Sequence, residues 1–175
     1  MRVYKFLPAH WAHEAIKRQR LKISHFNSLN DPWEFRSISF CNPAVEGPKW
    51  EKIQALVSQI RGVVCFSRNW NNPVLWSHYA ENHFGVVLGF DLAQCEIGGE
   101  KIVYPVDYVE VFVQCPPDLI SNPVQTSDNT EFLLRSMATK FKDWRYEDEV
   151  RVFPTLEEPD ESSNHFFLSF DGHLP

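Results

Sequence analysis

The sequence lacks several features that would assign the chain to a common class of protein. No apolar run approaches the ~20 residues of a membrane-spanning helix, and the first residues do not resemble the apolar run of a signal peptide. The four cysteines, at positions 41, 65, 95 and 115, never form a C-x-x-C pair. We therefore expect a cytoplasmic protein that does not enter a membrane and has no disulfide framework.

The motifs of several enzyme classes are also absent. Neither glycine-rich phosphate-binding pattern, G-x-G-x-x-G or G-x-x-x-x-G-K-[ST], occurs in the chain. Ser67 lacks the G-x-S-x-G surroundings of a hydrolase nucleophile, and there is no H-E-x-x-H motif to indicate zinc. We expect no metal site, no serine hydrolase and no phosphate binding of the dinucleotide-fold or P-loop kind.

The chain is rich in apolar and aromatic residues. Of its 175 residues 43% are hydrophobic and 14% aromatic, which is enough for one globular domain over residues 1–175 with a dense core or a flat-walled pocket. The net charge of −6 argues against nucleic-acid binding by bulk charge and leaves a local basic groove open.

Hydrophobic periodicity predicts about seven strands and four helices in mixed order. The predicted helices cover about residues 10–20, 48–60 and 73–80 and a last one from 128, whose apolar face continues to Trp144. The predicted strands cover residues 3–7, 21–24, 63–67, 84–91, 101–113, 148–153 and 165–170, and residues 114–128 are predicted to be a mobile loop. This order is typical of an α+β domain with a mixed, mostly antiparallel sheet core and about four flanking helices.

The segment W-R-Y-E-D-E-V-R-V-F, residues 144–153, carries the strongest chemical signal. On a strand, Glu147, Glu149 and Arg151 share one face. Two adjacent carboxylates shift each other's pKa and stabilise a developing cation. The same pattern also suits a solvated strand face on which Arg151 neutralises its neighbours.

Two further segments carry candidate site residues. In residues 73–83, Trp76, His78 and Tyr79 form either one wall of a pocket with a titratable imidazole or the core-facing side of an amphipathic helix. The turn N-D-P-W-E, residues 30–34, offers Asn30, Asp31 and Glu34 to orient a sugar or phosphate, or is a self-capped structural turn.

Five segments, in order, resemble a large bacterial family that is labelled a domain of unknown function. They are residues 3–6, 26–34 around N-D-P-W-E, 64–67, 76–91 beginning W-S-H-Y-A, and 142–151 around W-x-Y-E-x-E-x-R. They span residues 3–153, which is most of the chain. This resemblance implies membership of that family and supplies no activity by itself.

A second resemblance does imply an activity. The order of three strand motifs is similar to that in ADP-ribosyltransferases of the Arg-Ser-Glu type. The motifs are Y-[KR] in the first strand, F-S at the end of a middle strand and E-x-E-V-x-V in a late strand. Carried onto this chain, the first position is Lys5, where that family usually has Arg, preceded by Tyr4. The other two positions are Ser67, without the common S-T-S, and Glu149.

The resemblance implies that the chain uses NAD as substrate and needs no metal. Glu149 would stabilise the cationic sugar as nicotinamide leaves, and Glu147 would orient or deprotonate the nucleophile. Lys5 would offset pyrophosphate charge while Ser67 orders the pocket. Phe66, Trp76 or Tyr79 would stack on nicotinamide.

Three hypotheses follow from these signals. The first is an NAD-dependent ADP-ribosyltransferase, as a toxin or phage-defence effector, that modifies a protein or nucleic-acid acceptor and is held in check by a neutralising partner protein. The second is a non-catalytic module that senses a nucleotide or binds a protein, and the third is an NAD glycohydrolase. Both enzymes require Glu149 to face an open cleft. The module predicts Glu149 paired with Arg151 on a flat surface or remote from any pocket.

Overall fold

The computed structural model describes residues 1–91, 103–116, 119–120 and 127–170. Its α-helices with assigned bounds are α1 (Ala9–Arg18), α2 (Pro43–Ile60), α3 (Pro73–Tyr79) and α4 (Ser127–Met137), and its 3-10 helices are Phe26–Ser28 and Lys142–Glu147. Its strands are β1 (Arg2–Leu7), β2 (Arg20–Lys22), β3 (Ile38–Ser39), β4 (Val64–Ser67), β5 (Val86–Asp91), β6 (Tyr104–Pro105), β7 (Asp107–Val109), β8 (Val113–Gln114), β9 (Thr139–Phe141), β10 (Glu149–Val152) and β11 (Phe167–Ser169).

A five-stranded sheet forms the centre of the fold. Its strand order is β5-β1-β4-β10-β6, and every neighbouring pair in it is antiparallel. Three two-stranded sheets accompany it: β11-β2 is antiparallel, whereas β3-β8 and β7-β9 are parallel. The expected α+β class with a mostly antiparallel sheet is confirmed.

Strand alternation separates an apolar face of this sheet from a polar one. Val150 and Val152 of β10 belong to the main apolar core, together with residues of α1 and β5. Because successive side chains of a strand point to opposite faces, Glu149 and Arg151 lie on the other side. Ser67 is directly opposite Glu149 in the register and therefore shares that face. Strand β10 thus holds Glu149 and Arg151 away from the main core.

The predicted last helix is wrong at its C-terminal end. It ends at Met137, and residues 139–141 form β9, which pairs in parallel with β7 in the register Asp107 to Thr139. Phe141 and Trp144 match the helical spacing of Leu133 and Met137, but they lie on β9 and on the following 3-10 helix. Pairing with β7 provides hydrogen-bond partners for the backbone groups of residues 139–141, and this tertiary interaction overrides the local preference for a helix.

Two other predictions of local structure need correction. Glu147 ends a 3-10 helix instead of starting a strand, and Asp148 has a left-handed backbone with φ of 44° before β10 begins. Helix α2 begins at Pro43, five residues before the predicted start, with Pro48 inside it. The predicted mobile loop falls partly on residues 117–118 and 121–126, which lie outside the described residues, as do residues 101–102 of a predicted strand. No helix in the described ranges is long and apolar enough to cross a membrane.

Candidate functional site

A cavity of about 360 Å³ opens on the polar side of the central sheet. Its lining comes from β1, β4, β10, α3, β9 and the turn that follows the first 3-10 helix. Ten of the residues singled out from the sequence line it, namely Tyr4, Lys5, Asn30, Glu34, Phe66, Ser67, His78, Tyr79, Glu147 and Glu149. Segments far apart in the chain therefore meet at one crevice.

The strand register aligns the three central positions of this cavity. Tyr4 of β1 is opposite Ser67 of β4, and Ser67 is opposite Glu149 of β10. Strands β1 and β4 are in register at this single position. Beside it, the Lys5 ammonium donates a hydrogen bond to the Cys65 carbonyl at 2.9 Å. Lys5 is thereby fixed at the cavity wall next to the carboxylate row.

A fully buried arginine holds two of the carboxylates. Arg151, with 0% of its surface exposed, donates two hydrogen bonds of 2.7 Å to the two oxygens of Glu34. It also donates to Glu149 at 2.9 and 3.0 Å and to the Met137 carbonyl at 2.6 Å. Five donor contacts saturate the guanidinium. The Glu149 carboxylate is consequently held in one orientation.

Lys140 connects all three acidic side chains of the cavity. Its ammonium lies 2.5 Å from Glu147, 3.3 Å from Glu34 and 3.4 Å from Glu149, and only 3% of its side chain is exposed. It also lies 4.8 Å from the centre of the Trp144 ring. Three carboxylates and two cations, Lys140 and Arg151, thus form one buried network. Buried charges persist only when paired in this way.

A chain of hydrogen bonds leads from buried Glu147 to exposed Asn30. The Tyr79 hydroxyl donates to Glu147, and the Asn30 amide donates to that hydroxyl at 2.7 Å. The Ser67 hydroxyl donates to the Glu147 backbone carbonyl at 2.6 Å, which fixes the end of the 3-10 helix against β4. Ser67 therefore links β4 to the segment that carries Glu147.

The two neighbouring glutamates differ in proton affinity. Burial by itself raises the pKa of Glu149, but the cations of Arg151 and Lys140 outweigh it and lower that pKa to about 2. For Glu147, burial and the negative charge of Glu149 together raise the pKa, although Lys140 and the Tyr79 hydrogen bond oppose this. Glu149 is consequently a permanent anion, whereas Glu147 takes up a proton more readily.

Other titratable groups at the cavity are shifted mainly by burial. Burial lowers the pKa of Lys5, and the negative charge of Glu149 opposes this shift. Burial, reinforced by the charge of Glu147, raises the pKa of the Tyr79 hydroxyl. Tyr79 is therefore a hydrogen-bond donor to Glu147 at neutral pH.

Three of the expected site residues do not line the cavity. Arg151 lies behind Glu149 and acts on the cavity through it. Asp31 is buried in the turn, where one carboxylate oxygen accepts the Trp33 backbone N–H at 2.9 Å. Trp76 packs edge-on against Phe6 with ring centres 5.6 Å apart. Asp31 and Trp76 thus support the turn and the helix that carry the lining residues.

Lys140 and Cys65 line the cavity without having been predicted to do so. The helical periodicity of residues 128–144 obscured Lys140, because a lysine on a helix reads as solvent-exposed. Reading residues 139–141 as a short strand next to a strongly acidic segment would have indicated a buried counter-ion. Cys65 lies in the apolar run of β4, and its register opposite Arg151 places its side chain on the polar face of the sheet.

Searches for related proteins found no matching family model, no matching curated protein and no matching solved structure. Among the described residues, no cluster of three or more His, Cys, Asp and Glu side chains is suited to hold a metal ion.

Proposed function

We propose that this chain is an NAD-dependent, ADP-ribosyltransferase-like enzyme that breaks the nicotinamide–ribose bond, with Glu149 as its catalytic carboxylate. The observation that carries the proposal is the register of Tyr4, Ser67 and Glu149 on three adjacent strands, with Lys5 and Glu147 converging on the same cavity. This is the set of positions that the resemblance to the Arg-Ser-Glu type implies.

The charge state of Glu149 suits this chemistry. Cleavage of the bond develops positive charge on the ribose as nicotinamide departs, and a fixed anion beside it lowers the barrier. Because the pKa of Glu149 is about 2, its carboxylate is ionised at every physiological pH. Arg151 occupies two of its roughly four acceptor positions and the Cys65 thiol a third, which leaves one for a ribose hydroxyl.

Glu147 suits the role of general base. Its raised pKa brings its proton affinity closer to neutrality, which favours proton transfer from an incoming hydroxyl or water. The Tyr79 hydroxyl and the Lys140 ammonium orient its two oxygens. A toxin or phage-defence role with a neutralising partner belongs to the proposal on the strength of the resemblance alone.

Nicotinamide release from NAD, followed by chromatography, tests the proposal. We expect release by the wild-type chain and a loss of at least ~100-fold in Glu149→Gln, the size typical of removing one electrostatic stabiliser. The matched control is Glu110→Gln, a carboxylate whose side chain is 73% exposed and paired with the surface residue Lys142. Circular dichroism of each variant verifies folding.

The outcomes separate the three hypotheses. Transfer of labelled ADP-ribose to protein or nucleic acid in a lysate supports the transferase, and release without transfer indicates an NAD glycohydrolase. A thermal shift with NAD but no release indicates a nucleotide-binding module. Absence of both release and thermal shift in the wild-type chain refutes both enzymatic versions.

A further inference from the structure

The size of the cavity limits how much of a dinucleotide it encloses. At about 360 Å³ it lies near the lower end of the ~300–1,000 Å³ of small-molecule sites. NAD has two nucleoside units joined by a pyrophosphate, and a cavity of this size takes one of them. The unit beside Glu149 must be the nicotinamide riboside, because that unit contains the bond that breaks. The adenosine unit then lies outside.

The cations of the cavity do not match a pyrophosphate. Among the described residues that line it there is no arginine, the side chain that binds phosphate through two parallel hydrogen bonds. The Lys140 ammonium has three carboxylate neighbours within 3.4 Å. Lys5 is left to meet the two phosphate charges, and one of its donors already bonds the Cys65 carbonyl. His78 is the other basic side chain of this lining.

The carboxylates, in contrast, match the nicotinamide riboside. The buried network has three carboxylates and two cations, which leaves one net negative charge beside the cavity, and the nicotinamide ring of the oxidised cofactor is a cation. The Tyr79 ring lines the same cavity and offers apolar and stacking contacts. The Phe66 ring, which was also expected to stack on nicotinamide, packs instead against Phe90 in the main core, because it lies on the other face of the sheet. Recognition is therefore concentrated on the reacting half of the substrate.

We propose, as a deepening of the proposed function that rests on it, that the substrate class is the nicotinamide riboside unit and that the adenylate half of NAD is dispensable. Nicotinamide mononucleotide is then a substrate in its own right. The C1′–N bond breaks and its electron pair stays on the nicotinamide nitrogen. A water oxygen bonds to C1′ and its proton passes to Glu147. The products are nicotinamide and ribose 5-phosphate, with one proton released.

The experiment compares kcat/KM for nicotinamide release from NAD and from nicotinamide mononucleotide with the same wild-type preparation. Glu149→Gln serves as the background for both substrates. We expect the two values to agree within about tenfold, which limits the contribution of the adenylate half to ~1.4 kcal/mol of transition-state binding. We also expect AMP at ~1 mM, the top of the usual KM range, to leave both rates unchanged within a factor of ~2.

Each outcome distinguishes this inference from the function on which it rests. Cleavage of NAD with a value for the mononucleotide more than ~100-fold lower overturns the inference and leaves the proposed function standing. Strong inhibition by AMP has the same meaning. Cleavage of the mononucleotide but not of NAD supports the inference and removes NAD as the substrate. Cleavage of neither overturns both.

Discussion

Removing Glu34 should destabilise the chain strongly, because this side chain neutralises a cation that has no access to water. Arg151 is 0% exposed, and Glu34 accepts two hydrogen bonds of 2.7 Å from it. Breaking a buried ion pair by deleting one partner costs about 3–5 kcal/mol. Glu149 continues to bind Arg151 in the Glu34→Ala variant, so the lower end of that range, about 3 kcal/mol, is expected.

A loss of this size is easily measured. Natural domains have about 5–15 kcal/mol of stability, and in chains of this length 1 kcal/mol shifts Tm by roughly 2–4 °C. Glu34→Ala should therefore lower Tm by about 6–12 °C. It should also reduce the free energy of unfolding in urea, followed by the fluorescence of the six tryptophans.

The matched control for this variant is Glu110→Ala. Glu110 also pairs with a cation, Lys142 at 3.1 Å, but their side chains are 73% and 42% exposed. Exposed pairs contribute about 0–1 kcal/mol, so this variant should stay close to wild type. A loss below ~1 kcal/mol in Glu34→Ala would refute the reasoning, because it would mean that Arg151 is hydrated or paired elsewhere in solution.

Three further predictions concern the same network. The pKa of Glu149 is lowered from 4.5 to about 2, which corresponds to roughly 3 kcal/mol of stability. This contribution is present above pH 4.5 and is lost as the pH falls towards 2. Urea unfolding in acid should show the decline, and an equal decline in Glu149→Gln would contradict this origin. Burial raises the pKa of the Cys65 thiol, whereas Cys41 is exposed. Iodoacetamide at neutral pH should therefore label Cys41 before Cys65, as measured by peptide mapping, and equal labelling of the two would contradict the burial of Cys65. Tyr79→Phe should slow nicotinamide release by about tenfold or more and change its pH profile by removing the hydrogen bond to Glu147, and an unchanged profile would argue against Glu147 as the base.

Local sequence patterns predicted the elements that carry the site. The strand over residues 64–67 and the helix over residues 73–79 were expected within a residue or two, because continuous apolar runs and an opening proline are strong local signals. The helix from residue 128 was extended too far, because the pairing of β9 with β7 is a tertiary interaction that helical spacing does not reveal.

The two carboxylates reach the cavity by a route that the sequence did not indicate. Strand alternation was expected to align Glu147 with Glu149, but Glu147 ends a 3-10 helix and the left-handed backbone of Asp148 turns the chain into β10. Both side chains do meet at the cavity, but by way of a 3-10 helix and a turn and not by strand alternation. Turns of this kind depend on what the chain packs against, here the Ser67 hydroxyl at 2.6 Å from the Glu147 carbonyl.

The sequence by itself determined which chemical groups are available and which strands and helices carry them, because propensity and periodicity act over a few neighbouring residues. Only the tertiary structure decided which charges are buried and what each one pairs with. Arg151 and Glu34 are 117 positions apart, yet they form a buried ion pair, and the same arginine orients the Glu149 carboxylate and lowers its pKa. Burial and distance set the strength of a charge interaction, and both exist only after distant segments have packed together.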